Sequence, residues 1–291
     1  MSVQLKNDVI KVEILKMGAE LCSLKFVDDD TEYIWNADPV YWKRHAPVLF
    51  PIVGRVVNDQ YRVNDTTYHL GQHGFARDME FTVIEQSKSH VRLTLKWDDE
   101  TLKVYPFKFE FAITYAIEKN KVSIEYNVKN LDKQPIYFSV GAHPGFNCPI
   151  KVDESIDDYY FEFEKSEEAS ISLLTKDGLL KKEKTAYLNK QNSIEISDSL
   201  FKDGALIFDH LKSKRISLKS RKSDYCVHVD FEEFPFLGLW SKSEGAPFVC
   251  IEPWIGHADY TDFKGDFSKK EDQVCLDSQD VFTRKFEIII E

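Results

Sequence analysis

The sequence predicts an all-β fold: one large antiparallel β-sandwich, with few short helices, over residues 1–291. Apolar and polar side chains alternate with a period of two along much of the chain, as in strands that bury one face. Turn-forming clusters separate these runs, and the 3.6-residue periodicity of helices is scarce. Hydrophobic residues make up 43% of the 291 residues, enough for a large core. Because all-β folds of this length often form one domain, we expect a single domain.

Two consecutive runs predict a hairpin. Residues 107–117 place alternate aromatic and aliphatic side chains on one face, and residues 122–128 repeat the pattern after a short polar linker. Two runs joined in this way are typical of antiparallel strands. The same alternation predicts further strands at 91–97, 159–163, 205–208, 216–218 and 225–231.

The best helix candidate is the segment 38–45. Asp38 supplies an N-cap, and Pro39 occupies the first helical position, where a missing backbone N–H costs nothing. We therefore predict a short helix here.

The net charge disfavours several kinds of partner, and the cysteines indicate the compartment. The chain carries 38 Lys and Arg against 49 Asp and Glu, a formal net charge of −11, which disfavours nucleic-acid phosphates and anionic membrane surfaces. Five dispersed cysteines without a CxxC pair predict free thiols in a reducing compartment. The chain shows no signal-peptide pattern and no membrane-spanning apolar run. We expect a cytoplasmic protein that binds a neutral or modestly charged small molecule.

Cofactor-binding and nucleophile motifs are also absent from the sequence. The chain contains no G-x-G-x-x-G, G-x-x-x-x-G-K-[ST], G-x-S-x-G or H-E-x-x-H. Nucleotide cofactors, P-loop chemistry and a nucleophile elbow therefore lose support.

Two ionisable residues stand before a proline and after an apolar run. His143 precedes Pro144, and Glu252 precedes Pro253. Proline disfavours helix in the residue before it and cannot donate to a sheet ladder, so we expect both residues where buried strands end or leave the sheet. A His and a Glu so placed can form an acid–base pair. A core histidine and a structurally partnered carboxylate are the alternatives, since an unpaired buried carboxylate is costly.

Three segments, 45–78, 138–147 and 236–259, combine Gly, Pro, aromatic and ionisable residues in a way that plain strands do not. Trp240 and Trp254 lie in the third. Sugar rings present apolar C–H faces to aromatic side chains, while their hydroxyl groups need planar donors and carboxylates. The combination suits a sugar site, although core packing is the commoner use of a single aromatic residue and a lectin-like site has the same composition.

Arg55 and Arg77 are candidates to hold an oxygen-rich ligand, with a structural pair between Arg77 and Asp78 as the alternative. His73 is either a ligand-binding histidine or a turn histidine. It follows His69 by four residues, but in a strand that spacing separates two side chains by about 13 Å, so a shared metal is not expected.

No metal site is predicted. His257 and Asp259 could join Glu252 in one, but no compact ligand set accompanies them. His228 lies opposite the apolar face of its strand, and we expect it to be structural or exposed.

Four ordered motifs resemble a known family. LFPIVGR, HGFARD, GAHPGFN and APFVCIEPW are similar to motifs of the aldose 1-epimerase (galactose mutarotase) superfamily, and most of all to those of its LacX-like branch. The resemblance extends over nearly the whole chain. It implies the mutarotase β-supersandwich and a cofactor-free interconversion of the α and β anomers of an aldose such as galactose or glucose.

The resemblance also implies roles for individual residues. His143 would be the general acid that protonates the ring oxygen, and Glu252 the general base that removes the proton of the C1 hydroxyl. His73 resembles the second active-site histidine of the family, and Arg55 a substrate-contacting arginine.

Asp209 is the nearest candidate for an aspartate that binds sugar hydroxyls in the better-known branch, although the motif around it does not match clearly. Together with Arg77 and Trp240, it completes the predicted substrate-binding set. After His143 the chain continues Pro-Gly-Phe-Asn instead of that branch's x-Tyr-Phe-Asn, which leaves the sugar open.

Two groups that transfer protons suffice for this reaction, since each typically contributes about 10²–10⁴-fold. We therefore expect neither a metal nor a nucleotide cofactor. Three other activities stay open: a hexose-6-phosphate 1-epimerase that uses Arg55 and Arg77 for the phosphate, a non-catalytic sugar-binding protein, and a glycosidase. The last would usually need a second carboxylate.

Overall fold

The alternating runs of the sequence form strands, and antiparallel pairing between them builds most of the fold. The computed structural model describes residues 1–242 and 245–291, and the element counts below refer to these residues. In chain order the strands are β1 (Ser2–Lys6), β2 (Ile10–Leu15), β3 (Leu21–Phe26), β4 (Val48–Leu49), β5 (Gln60–Val63), β6 (Thr66–His69), β7 (Thr82–Gln86), β8 (His90–Lys96), β9 (Phe109–Glu118), β10 (Lys121–Asn130), β11 (Ile136–Phe138), β12 (Val140–Ala142), β13 (Gly145–Asn147), β14 (Tyr159–Leu174), β15 (Leu180–Glu195), β16 (Leu206–Asp209), β17 (Arg215–Ser220), β18 (Cys226–Asp230), β19 (Phe236–Trp240), β20 (Phe248–Ile255), β21 (Val274–Leu276) and β22 (Val281–Ile290).

Fifteen of these strands belong to one large sheet. Its order is β4-β12-β20-β19-β16-β14-β17-β18-β22-β10-β9-β8-β7, with β13 also paired to β20 and β15 to β14. Smaller sheets are formed by β1-β2-β3, β5-β6 and β11-β21. The predicted all-β class is therefore confirmed.

The predicted hairpin is confirmed as β9 and β10. Ile117 pairs with Val122 and Phe111 with Val128 in a regular antiparallel register. The other predicted strands overlap β8, β14, β16, β17 and β18, although the predicted runs 91–97, 205–208 and 225–231 extend one residue beyond an end of the observed strand.

The predicted helix at 38–45 is wrong. The backbone makes one turn, in which the amides of Tyr41 and Trp42 donate to the carbonyl of Asp38, and then leaves it. The reason is tertiary: the amide of Gly145 donates to the carbonyl of His45 at 2.8 Å, and this bond holds the end of the segment against β13. This hydrogen bond and the stacking of the Trp42 ring on Phe248 override the local helix signal.

The helical content of the described residues is small. The α-helix is α1 (Asp99–Val104), which the sequence reading missed; Asp98 caps it and exchanges side chain–backbone hydrogen bonds with Thr101. Single 3₁₀ turns lie at Val57–Asp59, Ala76–Asp78, Ile156–Asp158 and Phe267–Lys269. Within residues 1–242 and 245–291, no helix is long and apolar enough to cross a membrane.

Strand β20 shows how the sheet separates two environments. Val249 and Ile251 point into the main core, whereas Phe248 and Trp254 belong to two smaller apolar clusters on the opposite, outer face. Glu252 is on that outer face, because side chains alternate along a strand. A carboxylate therefore lies between two apolar patches.

Candidate active site

His143 and Glu252 meet on the outer face of the large sheet. Nε2 of His143 lies 3.1 Å from Oε2 of Glu252, and the two residues are 8% and 1% exposed. As expected, β12 ends at Ala142, immediately before His143. The expected end of the strand at Glu252 is wrong, because β20 continues through Pro253.

The continuation of β20 has a local cause. On one side β20 pairs with β13 up to Cys250 and with β12 from Trp254 onward. Pro253 lies opposite the break between those two strands. A missing N–H is tolerated there, because the neighbouring strand is interrupted.

Two glycines make room for the side chain next to Glu252 on the same face. The indole of Trp254 lies against Gly141 and Gly238, on the strands to either side. A methyl group at Gly141 would come within 2.7 Å of the ring, and one at Gly238 within 2.8 Å. The ring can therefore lie flat across three strands beside Glu252.

His73 lies beside His143. The two imidazole rings are 5.6 Å apart and nearly perpendicular. Nδ1 of His73 accepts the backbone N–H of Gly54 at 3.1 Å, and burial lowers the pKa of His73 well below its usual value. A neutral imidazole that accepts at Nδ1 carries its proton on Nε2, so His73 offers one N–H donor to the site.

Aromatic rings enclose His143 on two further sides. The Trp42 ring is 4.9 Å from it and tilted by 31°, and the Trp240 ring is 5.6 Å away, edge to face. Trp42 also stacks on Phe248 at 5.5 Å. These rings supply an apolar wall of the kind that the C–H face of a sugar packs against.

Two arginines bring positive charge to this site. Arg44 donates to Oδ1 of Asp78 at 2.9 Å, and Nε of Arg77 lies 3.7 Å from Oδ2 of the same carboxylate. The pKa of Arg77 is lowered to about 10, mainly by burial and to a smaller extent by the positive charge of Arg44. Both guanidinium groups also act against protonation of His143. The two cations share the carboxylate of Asp78, and the carboxylate of Glu20 is a second anion that acts on Arg77.

Burial drives both members of the His143–Glu252 pair toward their neutral forms. It lowers the pKa of His143 to about 3, and it raises the pKa of Glu252 well above its usual range, with Trp254 acting in the opposite direction. Nε2 and Oε2 are 3.1 Å apart but are not aligned for a hydrogen bond. The neutral pair and the ion pair have the same number of protons, so they differ only in which of the two residues carries the exchangeable proton.

Four buried polar atoms of the site have no hydrogen-bond partner among the described residues. They are Nδ1 of His143, Oε2 of Glu252, Nε1 of Trp254 and Nε of Arg77. Buried polar groups are normally paired, and each exception calls for an explanation. The hydroxyl groups of a bound ligand are suitable partners for all four atoms.

The other two predicted site residues have partners of their own. Arg55 donates to both carboxylate oxygens of Asp59, at 3.0 and 3.1 Å. Asp209 is on the outer face of β16 and forms an ion pair with Lys184. Among the described residues, neither forms a hydrogen bond or ion pair with His143 or Glu252, so their roles stay predictions.

Two groups of side chains near Glu252 have to be considered as metal ligands. His257 and Asp259 do not gather around Glu252: Nε2 of His257 lies 3.2 Å from Asp272, and Asp259 forms a buried ion pair with Lys270 at 2.6 Å. His143 and Glu252, together with Cys250, do bring their ligand atoms within 4.8 Å of one another. Burial raises the pKa of the Cys250 thiol well above its usual range, which disfavours the thiolate that a metal needs.

The sequence reading missed Trp42, Arg44 and a buried carboxylate, Glu20. Oε1 of Glu20 accepts the backbone amides of His45 at 2.7 Å and Ala46 at 2.9 Å, which fixes the segment that carries Trp42 and Arg44. The run Trp-Lys-Arg-His at 42–45 combines an aromatic residue with three basic ones, which was the available signal for site residues. It was assigned to the predicted helix instead.

Comparisons with known proteins show what the whole chain is similar to. The family model described as aldose 1-epimerase matches residues 1–275. The chromosomal LacX protein of Lactococcus lactis subsp. lactis is 39% identical over 264 residues, 88% of either chain.

Two solved structures are also similar. A galactose mutarotase related enzyme from Lactobacillus acidophilus has a TM-score of 0.95 and 39% identity, covering 100% of this chain and 97% of its own. A galactose mutarotase-like protein from Lactobacillus casei has a TM-score of 0.94 and 31% identity, with both chains covered completely. The fold is therefore the galactose mutarotase-like β-supersandwich that the sequence predicts.

Proposed function

The chain belongs to the aldose 1-epimerase family, and we propose that it is a cofactor-free mutarotase of a hexose such as galactose or glucose. Membership of the family supports a mutarotase-type activity on a sugar. The observation that carries the proposal further is the His143–Glu252 pair, an acid and a base 3.1 Å apart on a buried face.

The pair can open and close a pyranose ring. In the ion-pair form, with Glu252 ionised and His143 protonated, Glu252 takes the proton of the C1 hydroxyl, and the electron pair of that O–H bond forms the C1 carbonyl. The bond between C1 and the ring oxygen breaks, and the ring oxygen takes a proton from His143. After rotation about the C1–C2 bond, the reverse transfers close the ring on the other face of C1. Each proton is returned, so the net reaction is only an exchange of anomers.

The surrounding residues favour a sugar as the ligand. Trp42 and Trp240 supply an apolar wall beside His143, and His73 offers an N–H donor. The unpaired Nε of Arg77 adds a donor that a hydroxyl oxygen can satisfy.

Polarimetry with freshly dissolved α-glucose and α-galactose tests the proposal. We expect Glu252→Gln to bring the rate close to the uncatalysed one, and His143→Asn to lower kcat more than it raises KM. Glu167→Gln is the matched control, because Glu167 is a second buried glutamate that accepts only hydrogen bonds from Lys212 and Ser213. It should keep the activity.

Two results would contradict the proposal. If the wild-type protein bound sugar without accelerating anomer exchange, it would be a sugar-binding protein. If Glu252→Gln stayed within a few fold of wild type, Glu252 would not be the base.

One observation favours a second candidate, a hexose-6-phosphate 1-epimerase. Arg44 and Arg77 both lie against the carboxylate of Asp78, and two neighbouring guanidinium groups are a suitable binding site for a phosphate. Anomer exchange measured by NMR on glucose, galactose and their 6-phosphates separates the candidates. A phosphate preference that Arg77→Gln abolishes, through KM and only for the phosphorylated sugars, would select this one. Equal rates with free sugars would reject it.

A further inference from the structure

A second group of metal-ligating side chains lies on the outer side of the large sheet, away from His143 and Glu252. We propose that Cys226, His228 and Glu291 bind a divalent cation of the zinc class. Strand β18, which carries the first two residues, is separated from β20 by four strands of the sheet, β19, β16, β14 and β17. The site is therefore independent of the proposed mutarotase activity.

Strand pairing brings the three side chains to one place. Cys226 and His228 are two residues apart on β18 and so point to the same face, while Val227 between them is in the core. Glu291 follows β22 and lies opposite Cys226: each residue donates its backbone N–H to the carbonyl of the other, at 2.9 and 3.0 Å. The position of all three ligands is thus specified by the register of a regular sheet and not by a loop.

The distances among the ligand atoms match a tetrahedral site. Sγ of Cys226 is 3.3 Å from Nε2 of His228 and 3.6 Å from Oε2 of Glu291, and Nε2 is 3.5 Å from that oxygen. With a Zn–S bond of about 2.3 Å and Zn–N and Zn–O bonds of about 2.0–2.1 Å, a tetrahedral angle separates two ligand atoms by about 3.3–3.6 Å. One cation can therefore contact all three atoms without movement of the backbone, and one vertex stays free for a water molecule.

Neighbouring groups hold the ligands in the orientation that a metal needs. Oγ of Ser217 lies 2.7 Å from Nδ1 of His228, and this contact leaves Nε2 to face the cation. The hydroxyl of Tyr33 donates to the carbonyl of Glu291 at 2.8 Å. Such outer partners fix the tautomer and the ring orientation of metal-bound histidines.

The charges and the accessibility also suit a divalent cation. Burial raises the pKa of the Cys226 thiol to about 12, so a cation has to displace the thiol proton, as it would at Cys250. The resulting thiolate and the carboxylate of Glu291 then provide two negative charges, and sulfur with imidazole nitrogen is a donor set that favours zinc over magnesium or calcium. The nearby cations Lys219 and Arg215 are already paired with Glu162 and Asp230. The side chain of Glu291 is 59% exposed and that of His228 only 10%, so a cation can enter from the Glu291 side.

Titration of tag-free, chelator-treated protein with Co²⁺ tests the proposal. We expect one equivalent to bind and to produce the visible bands of tetrahedral cobalt together with a thiolate-to-cobalt charge-transfer band. Zn²⁺ should displace it and raise the Tm. Because metal binding has to displace the thiol proton of Cys226, binding should also release protons.

Four variants locate the site. Cys226→Ser and His228→Gln should each weaken Zn²⁺ binding by about 100-fold or more, and Ser217→Ala by about 10-fold through loss of the outer partner. Cys275→Ser, at an exposed cysteine, is the matched control and should bind as the wild type does. Unchanged mutarotation by the Cys226 and His228 variants would show that they are folded.

Three outcomes would overturn the proposal. They are the absence of stoichiometric binding, a cobalt spectrum without the thiolate band, and wild-type affinity in Cys226→Ser. A parallel Cys250→Ser variant tests whether the cation binds instead to Cys250, His143 and Glu252. If that variant alone lost the metal, the cation would bind at the catalytic pair and not here.

Discussion

The indole of Trp254 lies against the bare backbone of Gly238, where an added methyl group would come within 2.8 Å of the ring. Gly238 also pairs directly with Glu252 across β19 and β20. One glycine is therefore in contact with both the proposed base and the aromatic side chain next to it.

This contact predicts the effect of Gly238→Ala. The added methyl must displace Trp254, at a cost of about 1–3 kcal/mol in the free energy of unfolding. The displaced ring also disturbs Glu252, so we expect kcat/KM for mutarotation to fall by about tenfold or more. Gly71→Ala is the control, since nothing lies within 4 Å of a methyl group there. Equal activity of the two variants in polarimetry would contradict the positioning role of Trp254.

The pKa shifts predict an unusual pH profile for kcat/KM. Burial lowers the pKa of His143 to about 3 and raises that of Glu252, so the pair holds one proton between these two limits. We expect no loss of activity from pH 7.5 to 5, where an ordinary histidine with a pKa of about 6.5 would change its charge. Activity should fall at high pH, when the pair loses its proton. An acidic limb centred near pH 6.5 would argue against a single shared proton.

Glu252→Gln should stabilise the fold while it removes activity. A raised pKa in the folded state means that the stability contributed by this carboxyl is complete below about pH 4.5 and is lost as pH rises toward the folded value. Glutamine does not titrate, so its advantage over glutamate should grow from pH 5 to pH 8. It should reach about 1–2 kcal/mol, or a few degrees in Tm.

Thermal unfolding at pH 5 and pH 8 measures this difference. Glu167→Gln again serves as the control and should be destabilising at both pH values, because Glu167 accepts hydrogen bonds from Lys212 and Ser213. A Glu252→Gln protein that is less stable than wild type at pH 8 would show that Glu252 is a structural residue.

Trp42 should contribute to sugar binding through its ring face. Its ring lies 4.9 Å from that of His143, and we expect Trp42→Ala to raise KM and to lower kcat/KM by about tenfold, equivalent to about 1.4 kcal/mol. Trp42→Phe keeps an aromatic face and should recover most of the activity. Steady-state anomer exchange is the measurement. Indistinguishable kinetics of the alanine variant would place Trp42 outside the substrate site.

Much of the fold could be predicted because its signals are local. The alternation that placed the hairpin of 107–117 and 122–128 follows from side chains that bury one face of a strand, and β9 and β10 confirm it. The segment 38–45 failed for the opposite reason. Its cap signal is local, but Trp42 is held by His143 and Phe248, which are more than 100 and 200 residues further along the chain.

The position of Glu252 shows the same limit. A proline after an apolar run predicts the end of a strand, yet β20 continues, because the adjacent strand is broken opposite Pro253. The residues before and after Pro253 in the sequence cannot show that the neighbouring strand of the sheet is interrupted there.

By itself, the sequence determined the all-β class, the alternation of core and outer faces, the family and the residues proposed for the chemistry. Only the tertiary structure decided that His143 and Glu252 lie 3.1 Å apart, that Trp42 and Arg44 join them, and that Arg55 and Asp209 pair with Asp59 and Lys184. Periodicity and motifs report on interactions within a few residues. Proximity across the sheet depends on the pairing order of distant strands.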